Sequence, residues 1–271
     1  MPQILFEKRD GIAYITLNRP EKRNALSPEM IVRLAELWDE IASDNTVRVV
    51  LLTGAGDQAF SSGGDLGSTI PLMMRSRAPE GEWEEKLSAN RRLLGKAVLR
   101  NADFFKPVIA AINGHALAGG AEMVLAADIR IMSSSATLGL TEVKRGLIAG
   151  GGSLARLARQ LAWVDAMEVA LTGEPISAEH ALRIRLVNRV VDTNEVFSTA
   201  EEMARRLSTG APVALAKTKE AMVRSNGRPF EDAFAIETEC VIENARTDDA
   251  KEGPRAFMEK RSPVFTGRIS G

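Results

Sequence analysis

Two almost continuously apolar segments limit what this chain can fold into. They are residues 47–53, VRVVLLT, and residues 107–112, PVIAAI. Such runs are typical of strands that are covered on both faces, as in parallel sheets flanked by helices. A helix over residues 120–127 and a strand over residues 129–133 follow the second run. This alternation of strand and helix predicts a layered α/β core.

The two ends of the chain give different signals. Residues 5–17 read as two short strands that turn at Asp10–Gly11. Ser27 then offers a helix N-cap, with Pro28 after it and an apolar pattern of helical period. Beyond about residue 195 the strand signal ends, and four consecutive helices are predicted: 194–207, 212–224, 229–245 and 248–260.

The length of the chain fits this division. A chain of 271 residues can bury one substantial core and carry a smaller appended part. We therefore predict an α/β core in residues 1–195, which holds the active site, and a helical part in residues 196–271.

One stretch of the predicted core, residues 67–89, is less regular. Prolines and a glycine interrupt it, and it carries the apolar side chains of Met73, Met74 and Trp83. Two interpretations are open, a plain surface excursion or a lid over a ligand.

Composition excludes several classes of function. Lys plus Arg number 35 against 36 for Asp plus Glu, so no long-range field favours nucleic acid or an anionic membrane. Cys240 is the single cysteine and reads as a core thiol, while His115 and His180 have no metal-ligand spacing. Charged residues come too early for a signal peptide, and no apolar run approaches a membrane span. We expect a soluble, cytoplasmic protein without a metal site.

The glycine-rich segments fit some templates poorly. Residues 54–59 match G-x-G-x-x-A after a strand, which is a dinucleotide-binding pattern, but the helix that this pattern requires is missing. No Walker lysine follows any glycine loop. Nucleotide binding of these two kinds is therefore disfavoured.

Gly64 and Gly119 fit a different use, the stabilisation of an oxyanion. A backbone N–H serves this purpose only when a substrate oxygen can come within about 3 Å of it, and glycine leaves that approach open. Gly119 also precedes a predicted helix, so its N–H is expected at the positive end of the helix dipole. The alternative is that both are ordinary turn glycines.

Glu122 and Glu142 are the candidate acid and base. Each alone could be structural or solvated, because Glu122 lies in a first helical turn and Glu142 lies beside Lys144 and Arg145. Both, however, follow short apolar strands that enter the same core, beside the glycine donors. Two carboxylates in one site can divide the work, one activating water and the other delivering a proton.

Several motifs together carry a resemblance to a known family. They are residues 18–26 NRPEKRNAL, 59–66 AFSSGGDL, 106–114 KPVIAAING, 113–122 NGHALAGGAE, 138–142 LGLTE, 171–176 LTGEPI and 256–261 AFMEKR. As a set, and over nearly the whole chain, they resemble the enoyl-CoA hydratase (crotonase) superfamily.

The resemblance implies a fold, an assembly and a set of site residues. The fold is α/β, a spiral of ββα units with a helical C-terminal trimerisation domain, assembled as a homotrimer or a dimer of trimers. Gly64 and Gly119 are implied as the oxyanion amides, and Glu122 and Glu142 as the hydratase carboxylates. The residues implied in substrate and coenzyme A binding are Arg23, Ala25, Ser62, Gly64, Asp65, Leu66, Gly119, Thr141 and Lys260. In the family the lysine at the position of Lys260 often reaches a phosphate of CoA bound in a neighbouring subunit.

The chain also departs from the family pattern. Thr141 stands where family hydratases often have proline, Ala149 interrupts an Ile-Pro-Gly turn, and Gly67 replaces a frequent lysine. These changes leave the four implied catalytic positions intact and bear on acyl specificity and on one phosphate contact.

Because both glutamates are present, the resemblance favours an enoyl-CoA hydratase, in which CoA is part of the substrate and no separate cofactor is needed. Two alternatives stay open. One is a related acyl-CoA reaction, such as Δ3–Δ2 isomerisation or dehydration of a carnitinyl-CoA type of substrate. The other is an acyl-CoA-binding protein without turnover.

Overall fold

The computed structural model describes residues 1–100 and 103–269, in which ten strands form two sheets. The strands are β1 (Ile4–Arg9), β2 (Ile12–Leu17), β3 (Val49–Gly54), β4 (Ala59–Ser61), β5 (Val108–Ile112), β6 (His115–Leu117), β7 (Ile129–Ser133), β8 (Thr137–Gly139), β9 (Ile176–Ser177) and β10 (Arg189–Val191). The larger sheet has the order β1-β2-β3-β5-β7-β10, and the smaller sheet has the order β4-β6-β8-β9.

Twelve helices occur in the same described ranges. They are α1 (Pro28–Ser43), α2 (Thr69–Met73), α3 (Glu82–Ala89), α4 (Arg92–Ala97), α5 (Gly119–Ala126), α6 (Ser153–Gln160), α7 (Trp163–Thr172), α8 (Ala178–Arg183), α9 (Val196–Ser208), α10 (Pro212–Ser225), α11 (Phe230–Ala245) and α12 (Asp249–Met258). Short 3₁₀ turns cover Pro20–Lys22, Glu142–Arg145 and Thr193–Glu195. No helix of the described chain combines the length and apolarity needed to cross a lipid bilayer.

The two sheets arise from a repeated unit. Strands β3, β5 and β7 pair in parallel in the larger sheet, and the strand after each of them, β4, β6 or β8, joins the smaller sheet. Each turn of the chain therefore adds one strand to each sheet before it returns. The predicted mixed α/β architecture, with helices at the C-terminus, is confirmed.

The central strands of the larger sheet are buried on both faces, as their apolar sequences predict. All six residues of β3 are buried. On one face lies α1, whose N-cap Ser27 accepts a hydrogen bond from the Met30 N–H at 3.2 Å and whose Trp38 is 2% exposed. On the other face lies α9, which buries Ala200 and Ala204, spaced by one helical turn, against the sheet. The predicted division at residue 195 stays a prediction, since α9 follows it and yet packs on the sheet.

The hairpin and the helix boundaries agree closely with the sequence pattern. Arg9 pairs with Ile12 across the β1–β2 turn, and Asp10 and Gly11 both have positive φ, of 52° and 76°, as the tightest hairpin turn requires. The sequence pattern does not reveal β4, the short strand at residues 59–61. Three residues are too few to show a period in the sequence.

The irregular segment at residues 67–89 contains α2 and α3. Leu87 of α3 is buried in the main core. Ile70 of α2 reaches the other side, where its Cδ1 lies 2.9 Å from the position that a Cβ on Gly64 would occupy. The segment therefore borders Gly64, and the lid hypothesis stays a prediction.

Candidate active site

The smaller sheet brings the predicted site residues to one edge. Its strands β4, β6 and β8 are parallel, so their carboxyl ends lie on the same side. Gly64 follows β4, Gly119 follows β6 and Glu142 follows β8. Ligands of parallel α/β sheets commonly bind at this edge.

The turns that carry Gly64 and Gly119 are in contact. A Cβ on Gly63 would lie 2.9 Å from the Gly119 nitrogen, and a Cβ on Gly119 would lie 3.6 Å from the Gly64 nitrogen. The backbone bends sharply here, with φ of 90° at Gly63 and 49° at Ala118. Positive φ is costly for alanine, and such strain concentrates at functional sites.

Both of these amides are free to bind a ligand oxygen. Among the described residues, neither the Gly64 N–H nor the Gly119 N–H has a backbone acceptor. Gly119 is the first residue of α5, so its N–H also lies at the positive end of a helix dipole. The pair has the composition and proximity of an oxyanion hole.

Glu122 is held as a buried carboxylate at the start of two helices. It lies in the first turn of α5 and is 7% exposed. Its Oε1 accepts hydrogen bonds from the Gly151 N–H at 2.5 Å and from the Ser153 hydroxyl at 2.8 Å, at the N-terminus of α6. Burial raises the pKa of Glu122, and these hydrogen bonds oppose the rise by favouring the ionised form. The contacts suit a base that is charged near neutral pH.

Glu142 is also partly buried, but within the described chain it lacks the side-chain and helix-start donors that Glu122 has. Burial, with a smaller contribution from the negative charge of Glu122, raises the pKa of Glu142 to about 7. Its Oε2 is buried and has no hydrogen-bond partner among the described residues. A buried polar atom without a partner is rare in native proteins and often marks a site of chemistry. The two carboxyl groups are thus close enough to repel, and Glu142 is the one that keeps its proton longer.

The two segments predicted to bind coenzyme A run side by side. The Ser62 N–H donates to the Arg23 carbonyl at 3.0 Å, and the Asp65 N–H donates to the Leu26 carbonyl at 3.0 Å. Arg23 and Leu66 are exposed, whereas Ala25, Ser62 and Asp65 are half-buried. The arrangement forms a continuous surface next to Gly64.

The Asp65 side chain is occupied by the protein itself. Its carboxylate pairs with Arg19 at 2.9 Å and accepts from the Gly67 N–H at 2.8 Å. Burial alone would raise the pKa of Asp65, but Arg19 and the backbone donors outweigh burial and lower it. Arg19 also donates to the Ala25 carbonyl at 2.8 Å, so this ion pair ties the two segments together.

Thr141 and Lys260 lie in different parts of the molecule. Thr141 is buried directly before Glu142, and its carbonyl accepts from the Arg145 guanidinium at 3.1 Å. Lys260 is exposed just beyond α12, with φ of 55°. Its side chain makes no ion pair or hydrogen bond within the described chain, so Lys260 is available to a ligand or to another subunit.

Three residues of this site were not predicted. Arg19, Gly151 and Ser153 hold neighbouring parts of the site, as described above. The run of three glycines at residues 150–152 before Ser153 was the available signal, because unpaired N–H groups gather at a helix start. No group of three or more metal-binding side chains occurs in residues 1–100 and 103–269.

Two unpaired amides beside a carboxylate and a protonated carboxyl group can stabilise a negative oxygen while protons move to and from neighbouring atoms. The spiral of paired strands defines the class of crotonase-fold proteins.

Comparison with known proteins identifies the family. The family model described as enoyl-CoA hydratase/isomerase matches residues 7–268, and the chain belongs to this family. It is 39% identical to (E)-benzylidenesuccinyl-CoA hydratase of Thauera aromatica, over 97% of this chain and 99% of that protein. It is 37% identical to carnitinyl-CoA dehydratase of Escherichia coli K12, over 99% and 100%. The crystal structure of enoyl-CoA hydratase from Bacillus anthracis superposes with a TM-score of 0.88 at 33% identity, over 98% of this chain and 100% of that one.

Proposed function

We propose that this chain catalyses the reversible syn hydration of a trans-2-enoyl-CoA to a 3-hydroxyacyl-CoA. The observation that carries the proposal is the unequal pair of glutamates beside two free amides. Glu122 accepts two hydrogen bonds that favour its charge, whereas Glu142 has a buried oxygen without a partner and a pKa raised to about 7.

In the proposed mechanism the thioester oxygen lies between the N–H groups of Gly64 and Gly119. These donors withdraw electron density from C3 and stabilise the enolate that follows, each contributing roughly 3–4 kcal/mol by analogy with other oxyanion holes. Glu122 takes a proton from water as the water oxygen bonds to C3. Glu142 gives its proton to C2, and the C2–C3 double bond becomes single.

Coenzyme A is proposed to bind along the paired segments next to Gly64, as part of the substrate and not as a separate cofactor. The exposed side chains of Arg23 and Leu66 on this surface suit the nucleotide end. The residues proposed to contact it are Arg23, Ala25, Ser62, Asp65 and Leu66, with Thr141 near the thioester and Lys260 at a phosphate.

Self-association is part of the proposal. The C-terminal helices expose large apolar side chains, among them Phe230, Phe234 and Val241 of α11 and Phe257 and Met258 of α12. Exposed apolar surface of this extent is typical of protein interfaces. We propose a trimer, or a pair of trimers, in which these helices meet and Lys260 approaches the site of a neighbouring subunit.

A second candidate is hydration or dehydration of a more specialised acyl group. The names of the relatives favour it, since benzylidenesuccinyl-CoA hydratase and carnitinyl-CoA dehydratase are 39% and 37% identical to this chain. The same four groups would act, and the difference would lie in the acyl pocket.

A panel of acyl-CoA thioesters tests both candidates. Crotonyl-CoA, longer trans-2-enoyl-CoA thioesters, a Δ3-enoyl-CoA, carnitinyl-CoA and (E)-benzylidenesuccinyl-CoA are incubated with the enzyme, and products are identified by mass spectrometry. We expect addition of one water to a trans-2-enoyl-CoA. The rate of this hydration should fall by about 10²–10⁴-fold in Glu142→Gln. It should be retained in the control Glu174→Gln, which changes a surface acid paired with Lys144. Isomerisation without water uptake would contradict hydration, and CoA binding without turnover would favour a binding protein.

A further inference from the structure

Arg156 of α6 joins two turns that lie beside Glu122. Its Nη1 donates to the Gly151 carbonyl at 3.4 Å, and its Nη2 donates to the carbonyls of Leu99 and, at 3.5 Å, Arg100. The two turns come from distant parts of the sequence. They are fixed to each other here by the planar fork of one guanidinium.

One of the two turns contacts the candidate base directly, and the other packs against that turn. Gly151 donates its N–H to Glu122 while its carbonyl accepts from Arg156. On the other turn, Val98 Cγ2 lies 2.7 Å from the position of a Cβ on Gly151, so Val98 packs against the same turn. One residue, Gly151, therefore connects Arg156 to the carboxylate of Glu122, because its carbonyl accepts from Arg156 and its N–H donates to Glu122.

The backbone around this contact is strained in a way that leaves room for the guanidinium. Leu99 has φ of 53° and Gly152 has φ of 96°. Glycine suits position 152 because L side chains rarely adopt this φ, and Arg156 Nη1 lies 2.7 Å from the position that a Cβ on Gly152 would occupy. Positive φ at a leucine costs energy and persists only when surrounding contacts enforce it.

The charge of Arg156 also acts on Glu122. Arg156 is half-buried, and within the described chain no carboxylate lies within ion-pair distance of its guanidinium. The charged groups that face the Glu122 carboxylate are Arg156 from α6 and Glu142 from the 3₁₀ turn. The negative charge of Asp128 also acts on the pKa of Arg156, and raises it.

We propose that Arg156 is a positioning residue, which locks the turns at residues 98–100 and 151–153 together and so holds Glu122 ionised and aimed at the attacking water. This inference rests on the proposed hydration for the identity of the base. It extends that function by assigning the alignment of the base to a residue that touches no reacting atom.

Two substitutions separate geometry from charge. In Arg156→Met both are lost, and we expect kcat to fall about 10–100-fold, by analogy with residues that orient the ligands of metal sites, with KM close to wild type. The acidic limb of the kcat/KM profile should move to higher pH. Arg156→Lys keeps a positive charge but lacks the planar guanidinium. The acidic limb of the kcat/KM profile should therefore lie near that of the wild type, while kcat stays reduced.

The control is Arg159→Met, which removes an arginine from the exposed face of the same helix, where among the described residues its guanidinium donates only to the Ala155 carbonyl. The protonation of Glu122 is followed independently of turnover by infrared difference titration, assigned with Glu122→Gln. Equal kcat and equal Glu122 midpoints in Arg156→Met and Arg159→Met would overturn the inference. If Arg156→Met fails to fold, wild-type kcat in Arg156→Lys overturns it instead. Absence of hydration in the wild type would count against the proposed function alone, because the infrared titration still reads Glu122.

Discussion

Ionisation of Glu142 should lower the free energy of unfolding, and the size of this decrease follows from the environment of Glu142. The ordinary pKa of a glutamate is near 4.5, and burial with repulsion from Glu122 raises the pKa of Glu142 to about 7 in the folded protein. One pKa unit corresponds to about 1.4 kcal/mol, so forcing the charge into the folded site costs at most about 3.5 kcal/mol.

The direction of the pH dependence follows from proton binding. Between pH 4.5 and 7 the unfolded chain has released this proton while the folded chain keeps it, so the free energy of unfolding falls as pH rises. Below pH 4.5 both states bind the proton, and above about pH 8 neither does. The contribution of Glu142 to the free energy of unfolding is therefore fully retained in acid and fully lost in mild base.

Glu142→Gln removes this titration and keeps the shape of the side chain. Urea unfolding of both proteins at pH 5 and pH 8, at one protein concentration because self-association adds to apparent stability, gives the difference directly. We expect the variant to gain up to about 3 kcal/mol on wild type between the two pH values while it loses hydration activity. A constant difference across this range would refute the assignment of a neutral Glu142 in the folded site.

Three further predictions concern activity and stability. The kcat/KM profile should be bell-shaped, falling on the acid side as Glu122 gains a proton and on the basic side near pH 7 as Glu142 loses one; a flat profile from pH 6 to 9 would contradict these roles. Arg130 is 7% exposed and donates to three backbone carbonyls. We expect Arg130→Met to lower the free energy of unfolding by about 3 kcal/mol or more, measured by urea unfolding. Lys260→Ala should raise KM for CoA thioesters with kcat unchanged, as expected for a group that binds substrate and transition state equally; steady-state kinetics that show an unchanged KM would exclude Lys260 from binding.

Elements with many residues were predictable from the sequence. The start of α1 is marked by Ser27 and Pro28. Proline and glycine separate the C-terminal helices, so the observed ends of these helices differ by only one or two residues from the predicted ones. The continuous apolar character of β3 predicted burial on both faces, which α1 and α9 provide. These signals are local and repeat over two or more turns.

The smaller sheet was not predictable in the same way. Its strands are two or three residues long, which is too short for a period-two pattern, and they pair only with strands from other turns of the spiral. Gly64, Gly119 and Glu142 were singled out by residue type and resemblance, but nothing in their spacing says that they share one edge. That information lies in pairings between distant strands.

The residues that support Glu122 are harder to recognise in the sequence than the two acids. Glu122 and Glu142 stand out because a carboxyl group near an apolar strand is unusual, whereas Gly151 and Ser153 look like any helix start. Their role appears only when the N-terminus of α6 is seen to face the first turn of α5, so that unpaired donors of one helix solvate the carboxylate of the other. Glu142 lies at the start of a 3₁₀ turn and receives no such donor on its Oε2. The difference between the two acids, on which the proposed division of labour depends, is therefore a property of helix placement and not of the glutamates themselves.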